Sequence, residues 1–293
     1  MPVWLGYLEV LLAVLLLAGD FSLNKLYQRR AGVTLRAGLV FNLLNGGMTA
    51  LLFFCVGGFT LRLSWFSLLT AAGLALLITG YTLLGFRIMK DGGLAVYTLF
   101  LMAGGMTVPY IWGLLFLGEP FTLWRTAGLA VIISAVALTG GGKGALRPRQ
   151  TAMCAAVFFL NGFVSVLSKL HQIDTAHHAA SSPQFVMLTG FFKCLFCGGA
   201  LFFLRLREGK TELPIPCLRV SSIAFLSAAV SGCSFLLQLL GARVLPASVL
   251  YPLVTGGSVV LSTLAGLVLF REKAGKRVWA GIALCVLGTC LFL

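Results

Sequence analysis

Long apolar segments follow one another along almost the whole chain, separated by short clusters of charged and turn-forming residues. Each segment is close to the ~20 residues that an α-helix needs to cross the hydrocarbon core of a bilayer. The pattern predicts ten helices, at about residues 3–26, 36–57, 64–86, 93–117, 122–140, 150–170, 183–205, 218–240, 246–270 and 276–293. We therefore expect an all-α polytopic membrane protein with ten transmembrane helices and short loops.

Composition narrows the class of protein further. Hydrophobic residues make up 59% of the 293 residues and charged residues 10%, whereas soluble globular domains average about 45–50% and about 25%. This excludes a water-soluble enzyme, a disordered chain and a nucleic-acid-binding protein, although the net charge is +14. Residues 1–18 lack the basic start and the small-residue cleavage site of a secretory signal, so we expect a retained first helix.

The two halves of the chain resemble each other. Lys169 follows Lys25 by 144 residues, and both lie in a Leu-x-Lys-Leu-x-Gln segment at the end of a predicted helix. The same spacing, or one of 153 residues beyond the longer loop between helices 7 and 8, relates further pairs: Gly46 and Gly190, Gly104 and Gly257, Gly128 and Gly281, Glu119 and Glu272. Because each half has five helices, an odd number, residues 146–293 are expected to form a repeat that is inverted relative to residues 1–145. Inverted repeats are typical of transporters.

One repeated segment also indicates a family. Residues 115–120 read Leu-Phe-Leu-Gly-Glu-Pro and are followed by Trp124 and Gly128; residues 268–273 read Val-Leu-Phe-Arg-Glu-Lys and are followed by Trp279 and Gly281. Over essentially its whole length the sequence resembles the drug/metabolite transporter superfamily, and within it the ten-helix EamA-like group. Arg271, in place of glycine in the second copy, departs from the pattern. The resemblance implies a small-molecule carrier with helices 1–4 and 6–9 around a central cavity and helices 5 and 10 at the periphery.

The distribution of basic residues predicts the orientation. The loops 1–2, 3–4, 5–6, 7–8 and 9–10 with their flanks carry 17 of the 22 Lys and Arg residues, whereas the opposite side carries four. The positive-inside rule therefore predicts that both termini lie outside the cell. The EamA-like resemblance implies the opposite, with both termini in the cytoplasm. We follow the charge distribution and expect a multi-pass protein of the plasma membrane.

Three ionisable residues within the predicted helices are candidates for a substrate site, because a charge inside the membrane costs at least a few kcal/mol. Glu9 and Asp20 lie on helix 1, with their carboxylates on one face since eleven residues are about 20° more than three turns. Lys193 lies near the middle of helix 7. None has a charged counterpart in the other half, as expected for a site whose ligand is asymmetric. Alternatively, Lys193 forms a buried ion pair that fixes helix 1 against helix 7, and Asp20 reaches interfacial water.

Uncharged polar residues complete the predicted substrate cavity: Asn45, Tyr97, Asn161, Ser231, Gln238 and Tyr251. Tyrosine can line a cavity and donate a hydrogen bond. The alternative is structural, because Ser and Asn in membrane helices also bridge neighbouring helices. Charged residues that match between the halves, such as Lys169 and Glu119, are expected to anchor the scaffold.

We expect a secondary transporter, and not an enzyme, that moves a small metabolite or amphipathic compound by alternating access. Export and coupling to protons through Glu9 or Asp20 are options. The sequence has no Walker-type glycine-rich loop, so ATP is not its direct energy source, and we expect no cofactor and no resident metal.

Three alternatives remain open at this stage. The first is a sugar or nucleotide-sugar carrier of the same fold, in which Lys193 would meet a phosphate. The second is an intramembrane enzyme that uses the His171, Asp174 and His177 cluster of the 6–7 loop. The third is a membrane scaffold that transports nothing. The inverted halves favour transport, because neither catalysis nor a scaffold role requires them.

Overall fold

The computed structural model of the chain describes residues 3–32, 34–60, 64–90, 94–140, 148–208, 218–270 and 276–292. This part of the chain is helical and contains no strand. The ten helices are α1 (Val3–Ala31), α2 (Leu35–Val56), α3 (Trp65–Lys90), α4 (Leu94–Phe116), α5 (Leu123–Gly140), α6 (Pro148–Ile173), α7 (Ser182–Glu208), α8 (Leu218–Val244), α9 (Ala247–Phe270) and α10 (Lys276–Cys290). The predicted all-α class is confirmed.

Seven of the helices are long and apolar enough to cross a membrane, among the residues that the structure describes. They are α1, α2, α3, α6, α7, α8 and α9. The apolar stretches described in α4, α5 and α10 are shorter, at Phe100–Phe116, Leu123–Ala135 and Trp279–Cys290. Large apolar side chains such as Leu11, Leu76 and Phe202 are more than half exposed on the helix surfaces. These features agree with a multi-pass membrane protein.

Several helices continue beyond the ends that hydropathy predicts. α1 includes Arg29 and Arg30 in its last turn, and α8 includes Arg243. A cation at a helix C-terminus is stabilised by the helix dipole, and its long side chain can reach the aqueous interface. The helix end predicted from hydropathy therefore lies at the charged residue, whereas the helical backbone hydrogen bonds continue beyond it. Gly32, the residue after the end of α1, adopts the left-handed region (φ 82°) and donates its N–H to the Gln28 carbonyl at 2.9 Å.

The helices of the first half pack mainly against helices of the second half. α1 packs against α8 and α9, α2 against α7 and α8, α3 against α6 and α7, and α4 against α6 and α9. α5 and α10 pack against each other and against α4 and α9. Helices α1–α4 and α6–α9 therefore form the interior, and α5 and α10 lie to one side of it.

Glycines allow the closest of these approaches. α2 and α7 meet where Gly46 faces Gly190, and a Cβ atom on either glycine would lie 2.8 Å from the carbonyl oxygen of the other. α5 and α10 meet in the same way at Gly128 and Gly288. Small residues are typical of helix contacts in membranes, where van der Waals packing between backbones stabilises association.

We expect Gly190→Ala to destabilise the protein, because its new methyl group would overlap the α2 backbone. Overpacking of this kind costs about 1–3 kcal/mol of unfolding free energy. Gly199→Ala on the same helix is the matched control, since no atom of another described helix lies within 4 Å of its added methyl. Thermal unfolding in detergent should show a lower melting temperature for Gly190→Ala only. Equal melting temperatures would contradict the close α2–α7 contact.

Candidate functional site

A line of small and polar residues joins α1 to α8. Gly6, Ala13 and Asp20 recur every seven residues on α1, and Gly241, Ser234 and Ser227 recur every seven on α8. The Ser234 hydroxyl donates to the Ala13 carbonyl at 2.7 Å, and the Ser227 hydroxyl donates to Asp20 Oδ1. A seven-residue spacing keeps side chains on one helix face. Asp20 therefore lies within the α1–α8 contact, where it is only 8% exposed.

Asp20 belongs to a chain of hydrogen bonds that crosses four helices. Lys193 Nζ of α7 donates to Asn45 Oδ1 of α2 at 2.8 Å. Asn45 Nδ2 donates to the hydroxyl oxygens of Ser227 at 3.2 Å and Ser231 at 3.4 Å, both on α8. Ser227 in turn donates to Asp20 of α1. We call these five residues the polar network. From Lys193 through Asn45 and Ser227, each donor points toward Asp20, so these hydrogen bonds reinforce one another. The Ser231 hydroxyl donates instead to the Ser227 carbonyl at 2.6 Å.

The two charges of the network are linked through uncharged groups and do not touch. Among the described residues, no carboxylate oxygen lies within 4.0 Å of the Lys193 ammonium. The direct ion pair considered as an alternative from the sequence is therefore replaced by a relay through Asn45 and Ser227. Asp20 is buried in the α1–α8 contact.

The structure thus brings together four of the nine predicted cavity residues: Asp20, Asn45, Lys193 and Ser231. Glu9 is buried elsewhere on α1, and its Oε2 has no hydrogen-bond partner among the residues that the structure describes. Arg243 of α8 attracts its carboxylate electrostatically. Gln238 donates to Ser234 at 3.2 Å, one turn along the same helix. That Glu9 shares one cavity with Asp20 and Lys193 stays a prediction.

The other three predicted residues contact neighbouring helices. Asn161 of α6 donates to the Leu101 carbonyl of α4 at 2.8 Å, and Tyr251 of α9 donates to the Ser165 carbonyl of α6 at 2.6 Å. Tyr97 of α4 lies with its ring against Gly85 of α3. These hydrogen bonds satisfy backbone carbonyls between helices, which is the structural alternative for such residues in membranes.

Sequence reasoning did not select Ser227, which connects Asp20 to Asn45. The signal that could have found it is the seven-residue series Ser227, Ser234 and Gly241, which matches the series ending at Asp20 on α1. A serine directly opposite a buried carboxylate is the simplest hydrogen-bond donor that fits between two closely packed helices.

Lys169 and Glu119 clamp the turn between α8 and α9. Lys169 Nζ donates to the carbonyls of Ala242 and Leu245, both at 2.6 Å, at the end of α8. Glu119 accepts the backbone N–H groups of Ala247 at 2.6 Å and Ser248 at 2.8 Å, at the start of α9. Each charge complements the dipole of the helix end that it binds. This agrees with their expected role as anchors; Glu272 lies outside the described residues.

The histidines of the 6–7 loop are divided between two environments. His171 is buried, stacks on Phe185 with ring centroids 3.6 Å apart, and forms a hydrogen bond with Ser67 at 2.9 Å. His177 is exposed and forms a 2.7 Å hydrogen bond with Asp174, which holds the pKa of that carboxyl below its usual range. Within the described residues, no three His, Cys, Asp or Glu side chains form a metal-binding cluster.

Comparisons with known proteins identify the fold alone. No family model matches the chain, and no curated protein matches it. The alignment with one solved structure covers 98% of this chain and 95% of the chain in that structure, with a TM-score of 0.74 and 17% sequence identity. It carries no name beyond "Crystal structure of protein". The ten-helix architecture therefore recurs in another protein of very different sequence.

We expect Lys169→Met to destabilise the protein more than Lys193→Met. The first change leaves two buried carbonyls without their charged donor, at a cost of about 1.5–3 kcal/mol, and the second removes a single hydrogen bond to a side-chain amide. Melting temperatures of the two purified variants in one detergent provide the measurement. An equal or larger loss in Lys193→Met would mean that Lys193, too, mainly supports the fold.

Proposed function

We propose that this protein is a secondary transporter of the EamA-like kind, which moves a small metabolite across the plasma membrane by alternating access. Its ten helices would form two inverted repeats, residues 1–145 and 146–293. One observation carries the proposal: the polar network joins α1 and α2 of the first half to α7 and α8 of the second. A ligand bound there would contact both halves, and a movement of one half against the other would rearrange its site.

Contacts between the helices support the two repeats. Exchanging the halves replaces α1 by α6, α2 by α7, and so on along the chain. Under this exchange each main packing pair again gives a main packing pair: α1–α8 corresponds to α6–α3, α1–α9 to α6–α4, and α2–α8 to α7–α3. The pairs α2–α7, α4–α9 and α5–α10 correspond to themselves. A twofold axis relating the halves would produce this pattern.

Individual residue contacts follow the same rule with the sequence spacings of 144 and 153. Gly104 lies against Phe158, and the corresponding residues Gly257 and Val14 also lie against each other. Thr79 contacts Cys197 at 3.8 Å, and the corresponding Gly232 lies against the ring of Phe53. These pairs involve different side chains, so the agreement reflects the backbone arrangement. With five helices in each half, a repeat of this kind is inverted.

Polar contacts between the halves at one end of the bundle support a gate there. Gln184 at the start of α7 donates to the Thr60 carbonyl of the 2–3 loop at 3.0 Å. The Ser67 hydroxyl of α3 accepts the Ala180 backbone N–H at 2.8 Å and contacts His171 at 2.9 Å. Such contacts involve side chains and loops at helix ends, which can separate without breaking a helix. We propose that they open when the protein exposes its site to this end.

We expect that cross-linking the end of the bundle at Thr60 and Gln184 blocks a thiol reagent from reaching the polar network through that end. Access from the opposite end should remain. The test uses Ser231→Cys as a reporter in a cysteine-free background, in oriented proteoliposomes. An impermeant thiol reagent is applied to each side, before and after a short cross-linker joins cysteines placed by Thr60→Cys and Gln184→Cys. Labelling should occur from both sides before cross-linking and from the opposite side only afterwards.

A matched control places the two cysteines within the 6–7 loop, by Asp174→Cys and His177→Cys, so that cross-linking joins no halves. That cross-link should leave labelling from both sides unchanged. Labelling of Ser231→Cys from one side only, in every condition, would contradict alternating access and would favour a scaffold or an enzyme.

A further inference from the structure

The two ends of the polar network differ in how completely they are bonded. Asp20 accepts from Ser227 at Oδ1 and from Asn24 Nδ2 at Oδ2, the latter at 3.0 Å, so both of its oxygens have donors. An ammonium has three N–H donors. Lys193 uses one of them, toward Asn45, and has no other hydrogen-bond acceptor among the described residues. The hydrogen-bond donors of the network that have no acceptor are therefore at its cationic end, Lys193.

Asn45 holds that cationic end in a fixed position. Its Nδ2 group donates to Ser227 and Ser231, so its Oδ1 is the atom that faces Lys193. Asn45 is only 4% exposed, and Gly46 beside it forms the close α2–α7 contact. The amide is thus held by its own bonds and by the helix crossing. A ligand would meet an ammonium that is already oriented, which lowers the entropic cost of binding.

The sign of the missing partner follows from this asymmetry. An anion would accept the remaining N–H donors of Lys193 and would gain a charge-assisted hydrogen bond. A cation would meet the ammonium repulsively, and the carboxylate that could attract it already has both oxygens bonded inside the α1–α8 contact. The network is therefore arranged to receive an anion.

Charge balance limits how much negative charge the anion carries. Lys193 and Asp20 together are neutral, so a bound monoanion leaves one excess negative charge and a dianion leaves two. Each uncompensated charge within a membrane costs at least a few kcal/mol. One ammonium also lacks the forked geometry with which an arginine binds a phosphate. A carboxylate fits these conditions better than a phosphate dianion does.

We propose that Lys193, positioned by Asn45, binds the carboxylate of a monoanionic metabolite, an inference that rests on the proposed transport function and specifies its substrate class. Lys193 contacts the ligand in this proposal, whereas Asn45 is a positioning residue.

The test measures binding of four probes of similar shape and different charge to the purified protein: benzoate, benzamide, benzylammonium and phenyl phosphate. Thermal stabilisation at increasing probe concentration gives an apparent Kd for each. Benzoate should bind at least 10-fold more tightly than the other three. Preference for benzylammonium, preference for phenyl phosphate, or equal stabilisation by benzamide would each overturn the assignment of a carboxylate.

Variants at the two ends of the network should act in opposite directions. Lys193→Met should weaken benzoate binding at least 10-fold, and Lys193→Arg, which keeps the charge, should bind benzoate more tightly than Lys193→Met does. Asp20→Asn should preserve or strengthen benzoate binding, because it removes the competing negative charge. If Lys193→Met does not fold, the Asp20→Asn result remains decisive: loss of benzoate binding in Asp20→Asn with retained folding overturns the proposal.

This experiment and the gate experiment fail separately. The gate experiment requires no ligand, so labelling from alternate sides without carboxylate binding would remove only the proposed substrate class. Carboxylate binding with labelling from a single side would instead remove the transport function and leave a binding site.

Discussion

Charged groups inside an apolar helix bundle have no bulk water to solvate them, so partners within the protein or on a bound ligand must take the place of water. This constraint explains the arrangement of the interior. Asp20 and Lys193 lie on different helices, and Asn45 and Ser227 bridge them with a continuous series of hydrogen bonds. The backbone ends of α8 and α9 meet the same requirement through Lys169 and Glu119. Polar residues therefore fix which helices adjoin, and glycines fix how closely.

The scaffold and the site follow different symmetry. Helix contacts and glycine positions agree with an exchange of the two halves, as in the pairs Gly104–Phe158 and Gly257–Val14. The polar network does not, because Lys193 corresponds to Thr49 and Asp20 to Val164. In the proposed transporter, a symmetric scaffold would give two equivalent conformations related by the exchange of the halves, whereas an asymmetric ligand requires asymmetric partners. The combination would suit the proposed carrier of a small asymmetric molecule.

Hydropathy predicted the ten helices because an apolar segment of membrane length has few alternatives to a helix. Their ends were less accurate at Arg29, Arg30 and Arg243, where the side chains reach the interface while the backbone continues as a helix. In the site, Asp20, Asn45 and Lys193 were selected because each is polar within an apolar segment. Sequence alone could not distinguish these from Asn161 and Tyr251, since the carbonyls that bind the latter belong to helices whose neighbours only the fold defines.

The most direct test of alternating access is a pair of distance measurements across α3 and α6, one at each end of the same two helices. Spin labels replace the exposed residues Trp65 and Thr175, the latter just after the end of α6, in one sample and Arg87 and Arg149 in another. Alternating access predicts a shorter and a longer distance in each sample. The fraction of molecules with the longer distance at one end should equal the fraction with the shorter distance at the other end. A single narrow distance in both samples, or ends that lengthen together, would contradict it.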